Sequence, residues 1–197
     1  MQTAVRQTGT TLESGFTQSI PGKVALGLAA TLVVAAAAHV SIPLWFTPVP
    51  LTLQPLAVLG VGLALGPVTG FFAMLAYLAE GALGLPVFSP VAGPGGVAQI
   101  MGPTGGYLMA YPLVAFLVGA LTRGLRPAMP RFVAAAIACT AAIVLLFACG
   151  AGWMMAAWHF SAQHAFAAGV APFAASEAVK VVIASGLYSA LTRQPRT

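Results

Sequence analysis

The segment LGLPVFSPVAGPGGVAQIMGPTGGY, residues 83 to 107, breaks a rule that connecting segments usually obey. Prolines at 86, 90, 94 and 103 and six glycines between 93 and 106 forbid a continuous helix or a central strand. A connection of this kind normally runs over a wet surface, where water satisfies its backbone groups. This one carries no charged residue. Irregular backbone without charge is tolerated where it is buried in protein or lines a cavity at membrane depth, so the segment directs attention to the composition around it.

The chain of 197 residues is 59% hydrophobic and 6% charged, whereas a soluble domain carries about 25% charged residues. That excludes an ordinary soluble protein. The formal charge of +5 arises from eight Lys and Arg against three acids, so it reflects scarce acids rather than a basic patch. Nucleic-acid binding, which needs clustered cations on one face, is therefore not expected. Cys139 and Cys149 are ten residues apart in one apolar run, about 15 Å along a helix. They cannot pair with each other.

Apolar runs predict six membrane spans: about 22 to 40, 52 to 65, 67 to 83, 105 to 122, 131 to 150, and from Pro172 to about Thr192. The second and third are short and meet at Gly66 and Pro67. Pro112 predicts a kink in the fourth. The fifth is expected to continue as an interfacial segment through Trp153, Trp158, His159 and His164. Read as a cleaved signal peptide, the first span would leave 22 residues before its apolar region and would break the charge pattern described next.

Lys and Arg accumulate in cytoplasmic segments. Arg6 and Lys23 precede the first span, Arg123, Arg126 and Arg131 join the fourth to the fifth, and Arg193 and Arg196 follow the sixth. The connections 41 to 51, 84 to 104 and 151 to 171 contain neither residue. The expected fold is thus an all-α integral membrane protein with six transmembrane helices, both termini cytoplasmic, and long outer loops between helices one and two and between three and four. Residues 1 to 21 form an inner tail, 22 to 192 the membrane domain, and 193 to 197 a second inner tail.

Apart from the basic residues at the span ends, three charged groups fall within the spans: Glu80, Glu177 and Lys180. A charge at that depth is costly and marks a candidate site. Glu177 and Lys180 are neighbours on one helix face at i, i+3, and the orientation puts them in the outer half of span six. Glu80 lies at the outer end of span three, one turn beyond Tyr77. The first outer connection, SIPLWFTPVPLTLQPL, is also proline-rich and uncharged, and holds Trp45, Phe46, Thr52 and Gln54. Two stiff lids over apolar walls with a few polar anchors fit a small-molecule site. Small residues spaced four apart, Ala25 and Ala29 in span one and Gly62, Gly66 and Gly70 across the second turn, allow close helix approach. For the glycines the expected neighbour is this bundle; for span one a partner helix is the alternative.

The segments VPLTLQ (49 to 54), YLAEGALGLPVF (77 to 88), GPTGGYL (102 to 108) and PFAASEAVK (172 to 180), taken in order, resemble the BioY family, the biotin-specific substrate-binding subunits of energy-coupling factor transporters. The resemblance covers nearly the whole chain apart from its tails. It implies a six-helix protein that captures biotin from outside without a cofactor. It also implies partners, a transmembrane coupling subunit and two ATP-binding-cassette ATPases, which drive release inside. On the same resemblance Ala25 and Ala29 belong to the docking face for the coupling subunit. The sixth helix of the family looks most often like Asp followed three residues later by Lys, and here Glu177 stands in the acidic position.

Biotin has two ureido N–H donors, one ureido carbonyl, an apolar sulfur ring and a terminal carboxylate. The residues expected to meet it are Glu177 and Lys180 at the ureido ring, and Trp45, Tyr77 and Phe88 beside the rings. The glycine-rich lid or its Gln99 is expected to meet the valerate end, and Gln54 and Glu80 complete the polar set. Two other classes stay open at this stage. One is a subunit for a different vitamin, and the other is a membrane-embedded enzyme. The chain offers no G-x-S-x-G, H-E-x-x-H or D-x-x-D motif, and His39, His159 and His164 are scattered. It also lacks G-x-x-x-x-G-K-[ST], so ATP hydrolysis would need a partner; uptake without that module is a further possibility.

Overall fold

The computed structural model describes residues 19 to 192, so Arg6, Arg193, Arg196 and most of both tails lie outside the described residues. Helix α1 is Ile20–His39. The Ser19 hydroxyl opens it by accepting from the Gly22 amide at 3.2 Å, with Pro21 in the first turn, an arrangement that satisfies an amide otherwise left without a partner. At the other end the His39 ring donates from Nδ1 to the Ala35 carbonyl at 2.8 Å. Next come two short strands, β1 (Ser41–Ile42) and β2 (Leu51–Thr52), paired antiparallel with Ser41 opposite Thr52. This small ladder is the one departure from an all-helical description among the described residues.

Helix α2, Gln54–Ala82, has 29 residues and is interrupted at Gly66, where φ is 76° and ψ −178°. In a straight helix Gln54 and Tyr77 would be about 35 Å apart. Here their side chains hydrogen-bond at 2.8 Å. A Cβ added to Gly70 would also touch the Gly62 Cα at 3.5 Å, so the chain doubles back at Gly66 and its halves lie antiparallel. Glycine is suited to this φ because it has no Cβ, and Pro67 starts the second half with a preset φ.

Helix α3 is the short Gly96–Met101, set inside the uncharged connection. Then follow α4 (Gly105–Leu125), α5 (Arg131–Trp158) and α6 (Ala162–Gly169). A 3-10 turn, Ala171–Phe173, leads into α7 (Ala174–Leu191). Pro112 lies within α4 without splitting it, and α5 continues past 150 to Trp158 as one helix. His159 closes α5 in the left-handed region, φ 54°. Five helical stretches are long and apolar enough to cross a membrane, with α2 counted as one of them; on either side of Gly66 each of its halves is shorter than the ~20 residues of an ordinary span.

The core is formed by α2 packed on α4, α4 on α5 and α5 on α7. At the turn of α2 the contact is backbone against backbone. A Cβ on Gly119 would fall 2.5 Å from the Pro67 nitrogen, and one on Gly62 would fall 2.6 Å from the Ala115 carbonyl oxygen. The spaced glycines thus let α4 press against the turn of α2 inside this bundle. Basic residues collect at that same end: the Arg123 guanidinium lies beside Gly66, Arg126 sits over the Tyr188 ring at 6.0 Å, and Arg131 donates to the Thr192 carbonyl at 2.6 Å. Lys23 lines a surface groove there with Val68 and Thr69. Cys139 and Cys149 are both free thiols.

Candidate functional site

The uncharged segment is ordered because helix side chains satisfy its carbonyls. Tyr77 of α2 donates to the Val87 carbonyl at 2.7 Å, and Gln99 of α3 donates to that of Ser89 at 3.0 Å. Trp153 and Trp158 of α5 donate from Nε1 to Gly102 and Met101 at 2.9 and 3.2 Å. Tyr107, the last residue of the segment, donates to the Gly169 carbonyl at 2.7 Å. These donors replace water at buried backbone groups that would otherwise be costly to leave unpaired. Phe88 anchors the start of the segment, edge-on to Tyr77 with ring centroids 5.5 Å apart, in space that a side chain on Gly81 would occupy.

Beneath this cap is a cavity lined by Thr52, Gln54, Ser89, Gln99, Thr104, Tyr107, Tyr111, Phe147, Phe173 and Glu177, among others; it admits a water-sized sphere over about 60 Å³. Glu177 and Lys180 are buried together at its edge, with Lys180 Nζ 2.5 Å from Glu177 Oε1. Lys180 also donates to the Thr52 carbonyl at 2.6 Å, which ties α7 to the connection that carries β2. A buried ion pair is tolerable when the charges cancel and their remaining hydrogen-bonding groups are met. That condition is incomplete on one side: Glu177 Oε2 is buried and has no hydrogen-bond partner. Two more orphan oxygens, Ser89 Oγ and Thr104 Oγ1, belong to residues lining the same cavity. Native interiors leave few such groups, so three around one cavity describe a surface ready for hydrogen bonds.

The residues singled out from sequence fall into three positions. Gln54, Gln99 and Glu177 line the cavity. Tyr77, Phe88 and Lys180 stand behind that lining: Tyr77 accepts from Gln54 and supports the cap, Phe88 packs on Tyr77, and Lys180 holds Glu177. Trp45 and Glu80 lie elsewhere. Trp45 is 95% exposed at the tip between β1 and β2, and Glu80 Oε1 accepts from the Thr31 hydroxyl of α1 at 3.1 Å. Ser89, Thr104, Tyr111 and Phe173 do not stand out in the sequence: Ser89 and Thr104 lie in the glycine- and proline-rich segment, where no period shows which hydroxyl turns inward, and Tyr111 and Phe173 sit in apolar stretches whose pattern does not distinguish a cavity wall from the core.

Tyr77→Phe isolates the supporting role of the tyrosine. It removes the donor to Val87 and the acceptor for Gln54 while keeping the ring against Phe88. The expected result is a loss of about 1 to 3 kcal/mol in stability, read as a lower thermal midpoint of the purified protein, with binding in the cavity weakened several-fold. An unchanged midpoint would contradict the supporting role.

A bundle of membrane-crossing helices around a capped cavity, with one buried ion pair and free hydrogen-bonding groups in its wall, defines a multi-pass membrane protein built to hold a small molecule. The chain belongs to the BioY family, which it matches over residues 8 to 197. It is 42% identical over 137 residues to the probable biotin transporter BioY of Pyrococcus horikoshii, covering 70% of this chain and 76% of that protein. To the biotin transporter BioY of Rhodobacter capsulatus it is 36% identical over 180 residues, covering 87% and 92%. The crystal structure at 2.1 Å of the S-component for biotin from an ECF-type ABC transporter is similar, with a TM-score of 0.78 and 24% identity, covering 87% of this chain and 91% of that chain. At that identity the likeness bears on the fold alone.

Proposed function

We propose that this protein is a biotin-binding S-component that takes the vitamin from outside the cell and works with an ATP-driven energy-coupling module. The observation that carries the reading is Glu177 Oε2, a buried acceptor without a partner in the wall of the cavity. A ureido N–H of biotin supplies the missing donor. Lys180 keeps the carboxylate charge neutralised and, through Thr52, fixes its position. The hydroxyls of Ser89 and Thr104, also without partners, are donors suited to the valerate carboxylate, and Gln99 belongs to the same lining. Tyr107, Tyr111, Phe147 and Phe173 provide apolar walls for the sulfur ring.

In this reading the chain crosses the membrane six times, with the end bearing Lys23, Arg123, Arg126 and Arg131 on the cytoplasmic side. Both termini are then cytoplasmic, and the cavity opens outward. Because the sequence holds no phosphate-binding loop, energy enters through a transmembrane coupling subunit and its ATP-binding-cassette ATPases. Ala25 and Ala29 are exposed on α1, which leaves their face free for that subunit. Ala25→Leu or Ala29→Leu is expected to reduce uptake by cells carrying the whole transporter, while biotin affinity of the purified chain stays the same. Loss of both would place these residues in the folding of this chain instead.

The test of the function itself is a titration of biotin, thiamine and riboflavin into the detergent-purified chain without ATP. Saturable binding of biotin alone is expected. Preference for another vitamin would redirect the assignment, and binding of none would sink it.

A further inference from the structure

Trp45 is 95% exposed and Phe46 50%. Their rings meet edge to face, with centroids 5.4 Å apart, at the tip of the β1–β2 ladder between Pro43 and Pro48. Two large aromatic side chains standing together in water would forgo several kcal/mol of burial. The surface around them indicates what covers them. Val40 and Ile42 are also exposed and carry the apolar surface back to Leu32 and Val33 on α1, a membrane-crossing helix. Exposed apolar side chains thus occur along α1 and onward through Val40 and Ile42 to the tip, interrupted by the His39 ring, and no Asp, Glu, Lys or Arg occurs between Lys23 and Glu80.

We propose that this tip is a membrane anchor, inserted at the interfacial level of the leaflet nearest the cavity, with Trp45 among the lipid glycerol and carbonyl groups. Indole and phenyl rings favour that zone because one part of it is apolar and the other wet. With no cation in the tip, its attachment is to phospholipid in general and not to anionic headgroups. The anchor bears on the cavity because the same connection supplies part of the cavity wall through Val49, Pro50 and Thr52. Thr47, two residues from Trp45, donates to the Ala168 carbonyl at 2.6 Å. One end of this wall is thus fastened to the bundle and the other to lipid.

The test is the tryptophan emission of the full chain in phosphatidylcholine nanodiscs, with Trp45→Phe subtracted to leave the Trp45 signal. Substitution at so exposed a position leaves the packed core untouched. Phosphatidylcholine brominated near the top of its acyl chains should reduce that signal about twofold or more, with deep-brominated lipid less effective and aqueous iodide without effect. Strong iodide quenching without bromine quenching would overturn the anchor by placing the tip in water. Quenching by neither would also overturn it, in favour of a tip covered by a second copy of the chain. No biotin is needed, so the result is independent of the proposed function.

Discussion

Replacing Glu177 by alanine is expected to weaken biotin binding by about a hundredfold, on the order of 2.7 kcal/mol. Two effects act together. The ligand loses its acceptor at Oε2, and Lys180 is left buried with the Thr52 carbonyl as its remaining partner. Removing one member of a buried pair is costly mainly because the other charge stays behind. Glu177→Gln separates these effects, since the amide keeps an acceptor and the side-chain size but loses the charge; about a tenfold loss is expected. Glu177→Asp restores the acid that the family resemblance suggests and should stay within about tenfold of the parent, because it keeps the charge and retreats by one methylene. Affinity is measured by calorimetry on each purified variant, with thermal midpoints showing that each is folded. A folded Glu177→Ala protein with unchanged affinity would remove the ion pair from the site.

The second large effect is expected at Gly119. Its missing side chain is what lets α4 lie against the turn of α2, 2.5 Å from the Pro67 nitrogen and 2.6 Å from the Gly66 carbonyl carbon as an added Cβ would see them. Both are backbone atoms and cannot rotate away. Gly119→Val should therefore cost about 3 kcal/mol or more, which for a chain of this size lowers the thermal midpoint by about ten degrees. Gly60 provides the control, because an added Cβ there meets nothing within 4 Å. Gly60→Ala should be neutral or raise the midpoint slightly through helix propensity. Equal behaviour of the two variants would contradict the close approach of these helices.

The two cases also show which parts of the molecule were legible in the sequence. Helix limits were, because an apolar run between prolines and glycines translates directly into a span: α1 and α7 fall within a few residues of expectation, and the Gly66–Pro67 pair marks the fold-back of α2. The pairing of Glu177 with Lys180 was legible for the same reason, since i, i+3 spacing on one helix leaves little choice of neighbour. The path of the loops was not. It depends on bonds between residues remote in the chain, such as Thr47 to Ala168 and Tyr107 to Gly169, which no periodicity records. Trp45 illustrates the consequence. An aromatic residue in a proline-rich cap reads as a ring-stacking group, but the β1–β2 ladder turns it outward. Glu80 differs in that its partner, Thr31, lies on a helix whose face toward α2 the sequence does not specify.

The central claim is that the ureido ring of biotin lies against Glu177 in the capped cavity. The most direct measurement is an experimental structure of the chain with biotin bound. A ureido nitrogen within about 3 Å of Glu177 Oε2, with the valerate directed toward Ser89 and Thr104, is the predicted result. Biotin outside this cavity, or turned so that its carboxylate rests on Lys180, would contradict it.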